Sequence, residues 1–343
     1  MILVTGGTGL VGSHLLFELT KSDQNIRALY RRTETIEKVK KVFSYYSDQI
    51  DFQFKKIEWI QGDLNDIPKL EEAFKDITHV YHCAALISFA PNDYNQLKKI
   101  NTEGTANIVN LCITHSIQKL CYVSSVATVG FDPLKISEET TWKSEEIQNV
   151  YALTKHAAEM EVWRGIQEGI SSVIVNPGVV LGPGFFNSGS GLLFKIIYKG
   201  LNYKTEGVTG YVDVKDVVRS MLRLMNGTST NERYILVGKT LSFSEFTSQI
   251  SKELGVKAPQ KTAKRWMLSI AWRFDWLNHK IIGKKRKLTK NMCRTLDTKN
   301  YYSSDKFLKL EKDYIFTSMS KTISEVSQIF LKGLKHPQKE YLF

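Results

Sequence analysis

The chain has 343 residues, 42% hydrophobic and 11% aromatic, with 47 Lys and Arg against 35 Asp and Glu, a formal charge of +12. So apolar a composition excludes a disordered chain, and the length exceeds what one compact core usually holds, so two lobes are expected. The charge is local: residues 257–300 hold thirteen Lys and Arg against only Asp275 and Asp297, which removes global basicity as an argument for nucleic-acid binding.

No stretch reaches the roughly 18 apolar residues of a bilayer span. Met1-Ile2-Leu3-Val4 lacks a basic region and cleavage site, so a cytoplasmic protein without signal peptide or transmembrane anchor is expected. Cys83, Cys112, Cys121 and Cys293 show no CxxC spacing, so neither a metal site nor a disulfide framework is expected. Strands are predicted at 2–5, 26–30, 57–61, 79–83, 120–124 and 172–176, alternating with helix-length stretches. Such runs are nearly continuous in apolar residues, as strands covered on both faces are. The prediction is an α/β fold, a Rossmann-type doubly wound parallel sheet with a smaller, mainly helical C-terminal substrate lobe. The cofactor domain is placed at 1–180, with 208–240 returning to it around a further strand at 234–237, and the lobe at 181–343.

Directly after the first strand, Thr5-Gly6-Gly7-Thr8-Gly9-Leu10-Val11-Gly12 places glycines at GxxGxxG spacing before a helix predicted at 13–19. Gly6 would allow a tight turn, Gly9 the approach of a pyrophosphate, and Gly12 close packing of helix on strand, with the helix N-terminus donating N–H groups. Thr8, Leu10 and Val11 complete this cofactor-binding turn. The segment TGGTGLVGSHL resembles the nucleotide-binding turn of the extended short-chain dehydrogenase/reductase superfamily, the NAD-dependent epimerase/dehydratase family. After the second strand, Tyr30 is followed by Arg31-Arg32 rather than an acidic residue. A guanidinium suits the 2'-phosphate of NADP, so NADP is expected, with NAD as the alternative.

Further along, the resemblance implies that Asp63 and Leu64 contact adenine and that Ala84, in His82-Cys83-Ala84-Ala85, lies against the nicotinamide ribose and phosphates. Asn101-Thr102-Glu103-Gly104-Thr105 resembles a family helix start in which Asn101 is either structural or ligand-binding. Of Ser124 and Ser125, the downstream Ala-Thr-Val-Gly stretch selects Ser125 as the catalytic serine, leaving Ser124 to the cofactor or the sheet.

Tyr151 and Lys155 form a YxxxK pair on one helix face. An adjacent ammonium would lower the phenol's pKa, so that Tyr151 protonates the carbonyl oxygen as hydride arrives. The resemblance adds that Lys155 holds the nicotinamide ribose. It also implies that Pro177 and Val180 contact the cofactor within Asn176-Pro177-Gly178-Val179-Val180, where Asn176 replaces a frequent Arg. Asp213 and Asp216 are read as structural ties to the lobe.

In the basic segment, a 100° step puts Trp266, Met267, Ile270, Phe274, Leu277 and Ile281 in one arc, with Trp272 and Trp276 opposite. Residues 264–287 are therefore a lid over an apolar substrate, a peripheral membrane contact, or plain lobe packing. Phe89, Phe185 and Phe186 favour a bulky apolar carbonyl or alcohol as substrate. The expected function is an NADP-dependent oxidoreductase resembling dihydroflavonol reductase-like and hydroxysteroid dehydrogenase-like enzymes, with a homodimer as a further expectation and no nucleic-acid partner. Two alternatives stand beside it: a nucleotide-sugar epimerase or dehydratase with tightly bound NAD, and a non-catalytic NADP sensor.

Overall fold

The computed structural model describes residues 1–143, 149–282, 293 and 296–335. In chain order its strands are β1 (Ile2–Thr5), β2 (Ile26–Tyr30), β3 (Ile57–Gln61), β4 (His79–His82), β5 (Lys119–Val123), β6 (Ser172–Pro177), β7 (Val179–Leu181), β8 (Tyr203–Lys204), β9 (Val208–Asp213), β10 (Glu232–Leu236), β11 (Lys239–Ser242) and β12 (Lys261–Thr262). Its α-helices are α1 (Leu10–Leu19), α2 (Ile36–Phe43), α3 (Ile50–Phe54), α4 (Ile67–Phe74), α5 (Tyr94–Leu97), α6 (Gly104–Thr114), α7 (Val150–Gln167), α8 (Gly191–Tyr198), α9 (Val214–Asn226), α10 (Phe243–Leu254), α11 (Arg265–Ile282), α12 (Asp305–Leu310) and α13 (Met319–Lys335).

Seven strands make the main sheet in the order β10-β6-β5-β4-β1-β2-β3, every neighbouring pair parallel. The chain builds outward from β1 to β3 and then returns to place β4 on β1's other side, with Thr5 opposite His82. Strand order reverses there, and the crevice beyond the carboxyl ends of β1 and β4 is where such sheets bind ligands. Side chains alternate across the sheet: Ile2 and Val4 enter one core with Leu15, Leu16 and Ala28, while Leu3 enters the other with Leu29, Val80 and Ile108.

Several boundaries differ from expectation by one to three residues. Helix α1 starts at Leu10 rather than 13, because Gly9 already holds the extended conformation of an N-cap. Strands β4, β5 and β10 end one residue earlier than expected, and β6 continues to Pro177.

Beyond β6 a three-stranded sheet, β11-β9-β7, packs with α8, α10 and α13 around Leu181, Phe194, Tyr211, Phe246, Ile323 and Phe330. This lobe is not a separate end of the chain. Helix α9 sends Val217, Met221 and Leu224 back into the main core, β10 completes the main sheet, and Phe307 and Tyr314 pack there as well.

Candidate active site

The glycine turn has the geometry of a cradle. Gly6 adopts φ +68°, and a Cβ there would lie 2.5 Å from the Ala84 backbone nitrogen, so β1 and the loop after β4 meet with no room for a side chain. A Cβ on Gly12 would fall 2.2 Å from the Gly6 carbonyl oxygen. A Cβ on Gly9 meets only that oxygen at 3.4 Å, so the outer side of the turn stays open to a ligand. The first-turn amides of α1, at Leu10, Val11 and Gly12, have no helical carbonyl to bond, and no acidic side chain occupies that turn. Thr8, Leu10 and Val11 are half-buried along its rim. Open backbone donors at a positive helix end fit a pyrophosphate.

At the end of β2, Arg31 lies 3.7 Å from Asp63 in an exposed ion pair, which holds the guanidinium only weakly. Leu64 is buried against Gly104, whose Cβ would come within 2.8 Å of it, and the Asn107 amide donates to the Leu64 carbonyl at 2.8 Å. Asn101 lies in a π-helical turn (Lys98–Glu103), accepts from the Leu86 N–H at 2.7 Å and donates to the Leu86 carbonyl at 3.0 Å. Both ends of the Asn101 amide thus pin the loop after β4.

The side chains expected to transfer protons, Tyr151 and Lys155, stand on the N-terminal turns of α7. Asn149 caps that helix by accepting from the Tyr151 N–H at 2.9 Å. Burial pushes the Tyr151 phenol up to about 12, opposed by a hydrogen bond with the Ser125 side chain. Lys155 is fully buried and donates to Tyr122 Oη at 2.6 Å and to the Val123 carbonyl at 2.9 Å. Burial lowers its ammonium to about 7, while Glu159 pulls it back up. The Lys155 ammonium rests on Tyr122, and burial is the main influence on the Tyr151 phenol.

Behind Lys155 a second chain of polar groups crosses the sheet. His82 shares hydrogen bonds with Thr5 Oγ1 at 2.6 Å and Thr105 Oγ1 at 3.0 Å, stacks on Tyr122 at 5.4 Å, and is held neutral by burial, its pKa lowered to about 3.

The two serines point different ways. Ser125 faces Tyr151 and accepts from the Ala127 N–H at 3.1 Å, whereas Ser124 points away and donates to Glu159 Oε2 at 2.6 Å. Glu159 is a hub that the sequence reading missed. Its Oε2 also accepts from Thr128 at 2.7 Å and Asn176 at 2.9 Å, and its Oε1 from Arg233 at 3.2 Å. Asn176 in turn donates to the Ser125 carbonyl at 3.2 Å. Arg233 from β10 thus brings a cation to Glu159, which Asn176 also contacts. Glu159 lies four residues beyond Lys155 on the same helix face, a spacing that offered a signal; Arg233 offered none.

Asp213 caps α9 through the Lys215 N–H at 2.7 Å and accepts from Thr322 at 2.7 Å, while Asp216 accepts from the Thr317 N–H at 2.7 Å. Both tie the lobe to the sheet. Phe89 sets its ring edge-on to Tyr151 at 5.7 Å and is partly exposed, as a residue at the mouth would be. Phe186, expected beside it, is instead core: it is buried against Phe194 and Phe330. Pro177 is buried at the end of β6, and Val180 is half-buried in β7.

A model of the NAD dependent epimerase/dehydratase family matches residues 2–238. The chain is 28% identical over 289 residues to the putative dihydroflavonol 4-reductase of Synechocystis sp., covering 82% of this chain and 79% of that protein. It is 25% identical over 287 residues to the sterol demethylase protein B of Methylococcus capsulatus, covering 82% and 84%. The crystal structure of gox2253 superposes with a TM-score of 0.79 at 26% identity, covering 97% of this chain and 98% of that one. DesIV, a dTDP-glucose 4,6-dehydratase from Streptomyces venezuelae with NAD bound, shares the fold, with a TM-score of 0.75 at 15% identity over 98% of each chain.

Proposed function

The chain belongs to the NAD dependent epimerase/dehydratase family, and on that premise we propose that it is a cytoplasmic, NADP-dependent reductase of a bulky apolar carbonyl compound or of the corresponding alcohol. Membership makes it an NAD(P)-dependent enzyme of the extended short-chain dehydrogenase/reductase type. The observation that carries the finer reading is the partly exposed ring of Phe89 set edge-on against Tyr151, at the end of the sheet where the glycine turn opens. A phenol held protonated is the acid that reduction of a carbonyl requires.

When bound, the nicotinamide supplies the hydride. Tyr151 gives its proton to the substrate oxygen, and the Ser125 hydroxyl stabilises the charge that develops there. Lys155, with two of its three N–H donors taken by Tyr122 and Val123, keeps one for the ribose of the cofactor. The turn residues Gly6, Thr8, Gly9, Leu10, Val11 and Gly12 take the pyrophosphate, Asp63 and Leu64 the adenine side, and Ala84, Pro177 and Val180 the nicotinamide side. Arg31 selects the 2'-phosphate. Relatives named for reduction of dihydroflavonol and cinnamoyl-CoA support an extended apolar substrate. The domain division at about residue 180, with later segments returning to the sheet, and a homodimer belong to the same reading.

Titration with NADPH and NADH, followed by nicotinamide fluorescence, tests it. NADPH is expected to bind more tightly, with the preference lost in Arg31→Ala. NAD retained through purification would instead favour an epimerase or dehydratase. Tyr151→Phe is expected to bind cofactor yet lose turnover by about a hundredfold or more; unchanged cellular function in that variant would favour a sensor.

A further inference from the structure

Helix α11 is turned the opposite way from the usual rule for a surface helix. Across residues 265–277 no side chain is buried. Leu268 and Trp272 are half-buried on one side, where Trp276 is 41% exposed, while Trp266, Ile270, Phe274 and Leu277 on the opposite side are 61%, 45%, 62% and 44% exposed. Those four recur at intervals of four, four and three residues and form a stripe about 16 Å long at 1.5 Å per residue. Arg273 emerges within the stripe, and Lys257, Lys261, Lys264 and Arg265 lie exposed around its N-terminal end. The basic run 284–287 lies outside the described residues.

We propose that this face of α11 is a docking surface for a membrane carrying anionic lipids. The occupant is argued from charge. The segment 257–300 holds nearly all of the chain's net positive charge, and an apolar stripe with Lys and Arg at its N-terminal end and Arg273 within it fits the boundary between acyl chains and anionic headgroups. Tryptophan favours that boundary, and the long stem of Arg273 lets its guanidinium reach the headgroups while the stripe sinks below them. A second copy of the chain fits poorly, because a twofold contact sets the same basic segment against itself. Among the described residues no helix is long and apolar enough to cross a membrane, so the contact is a peripheral one.

The inference stands apart from the reaction assigned above. The full chain would be sedimented with vesicles of phosphatidylcholine alone and with added phosphatidylglycerol. Anionic lipid is expected to strengthen binding roughly tenfold or more, and salt to weaken it. Brominated acyl chains should quench the tryptophan fluorescence of the bound wild type, a readout that needs no variant. Trp266→Ser with Phe274→Ser removes only exposed rings and should weaken binding at least about tenfold. Tyr151→Phe should bind vesicles like wild type even where turnover is lost, which separates this result from the fate of the catalytic assignment. Vesicle binding that is absent, indifferent to phosphatidylglycerol or unaltered by the double variant overturns the proposal. So does a concentration-dependent dimer that the double variant abolishes.

Discussion

Replacing Glu159 by Gln removes one negative charge from a site with 0% side-chain exposure and leaves its partner, Arg233, in place at 18% exposure. Breaking a buried ion pair from one side costs about 3–5 kcal/mol, because the remaining charge has lost its counter-ion but not its burial. The substitution also turns a carboxylate oxygen that accepts from Ser124, Thr128 and Asn176 into either an amide oxygen or a competing donor. One offset is available. Asn176 Oδ1 is buried with no partner among the described residues, and a Gln amide N–H turned toward it would recover about 1 kcal/mol. The net expectation is a loss of about 2–4 kcal/mol, a large share of the roughly 5–15 kcal/mol that holds a typical domain folded. Urea unfolding followed by circular dichroism measures it, and a cycle with Arg233→Met isolates the coupling. The double variant should be more stable than Glu159→Gln alone. A single variant within about 0.5 kcal/mol of wild type, or a cycle without coupling, would refute the view that this pair holds the active-site segments together.

Two further outcomes follow from the geometry. Gly12→Ala places a methyl 2.2 Å from the Gly6 carbonyl oxygen, which is backbone and cannot swing away; the expected cost is about 1–3 kcal/mol in urea unfolding, with loss of dinucleotide binding by fluorescence titration. Lys155 gives a pH signature: its proton leaves at about 7 in the folded protein and at the ordinary 10.5 when unfolded. Between those values the unfolded chain binds more protons, so stability should climb as pH rises through the window, and the cost of the buried ammonium is fully present below it. Urea midpoints measured against pH should show that climb in the wild type and a shallower one in Lys155→Met.

The main sheet was legible because parallel strands buried on both faces read as continuous apolar runs, and β1, β2 and β3 fall where those runs predict. The sheet β11-β9-β7 was not legible. Its strands are three to six residues long, Gly210 interrupts β9, and its parallel partner β7 looks like the tail of a Pro-Gly turn. The Tyr151, Lys155 and Ser125 assignments rest on local motifs, which sequence shows directly. The Glu159 cluster draws Ser124 from 35 residues away, Thr128 from 31 and Arg233 from 74, distances that no local pattern encodes. Likewise, α11 reads from its sequence as amphipathic on either of two faces, and only the exposure of its side chains in the folded chain shows that the Trp266 face is the more open one.

The late return of β10 has a bearing on biosynthesis. Strand β6 is paired on one side by β5 and on the other only by β10, with Tyr234 opposite Val175 and Ile235 opposite Asn176. Until residue 236 has left the ribosome, the nascent sheet therefore carries an open, apolar edge at Val173–Val175, and the anion at Glu159 waits for its arginine. An unpaired edge of that kind invites strand pairing between chains. A polypeptide stalled or cleaved ahead of β10 is thus expected to expose that edge and to aggregate more readily than the full chain.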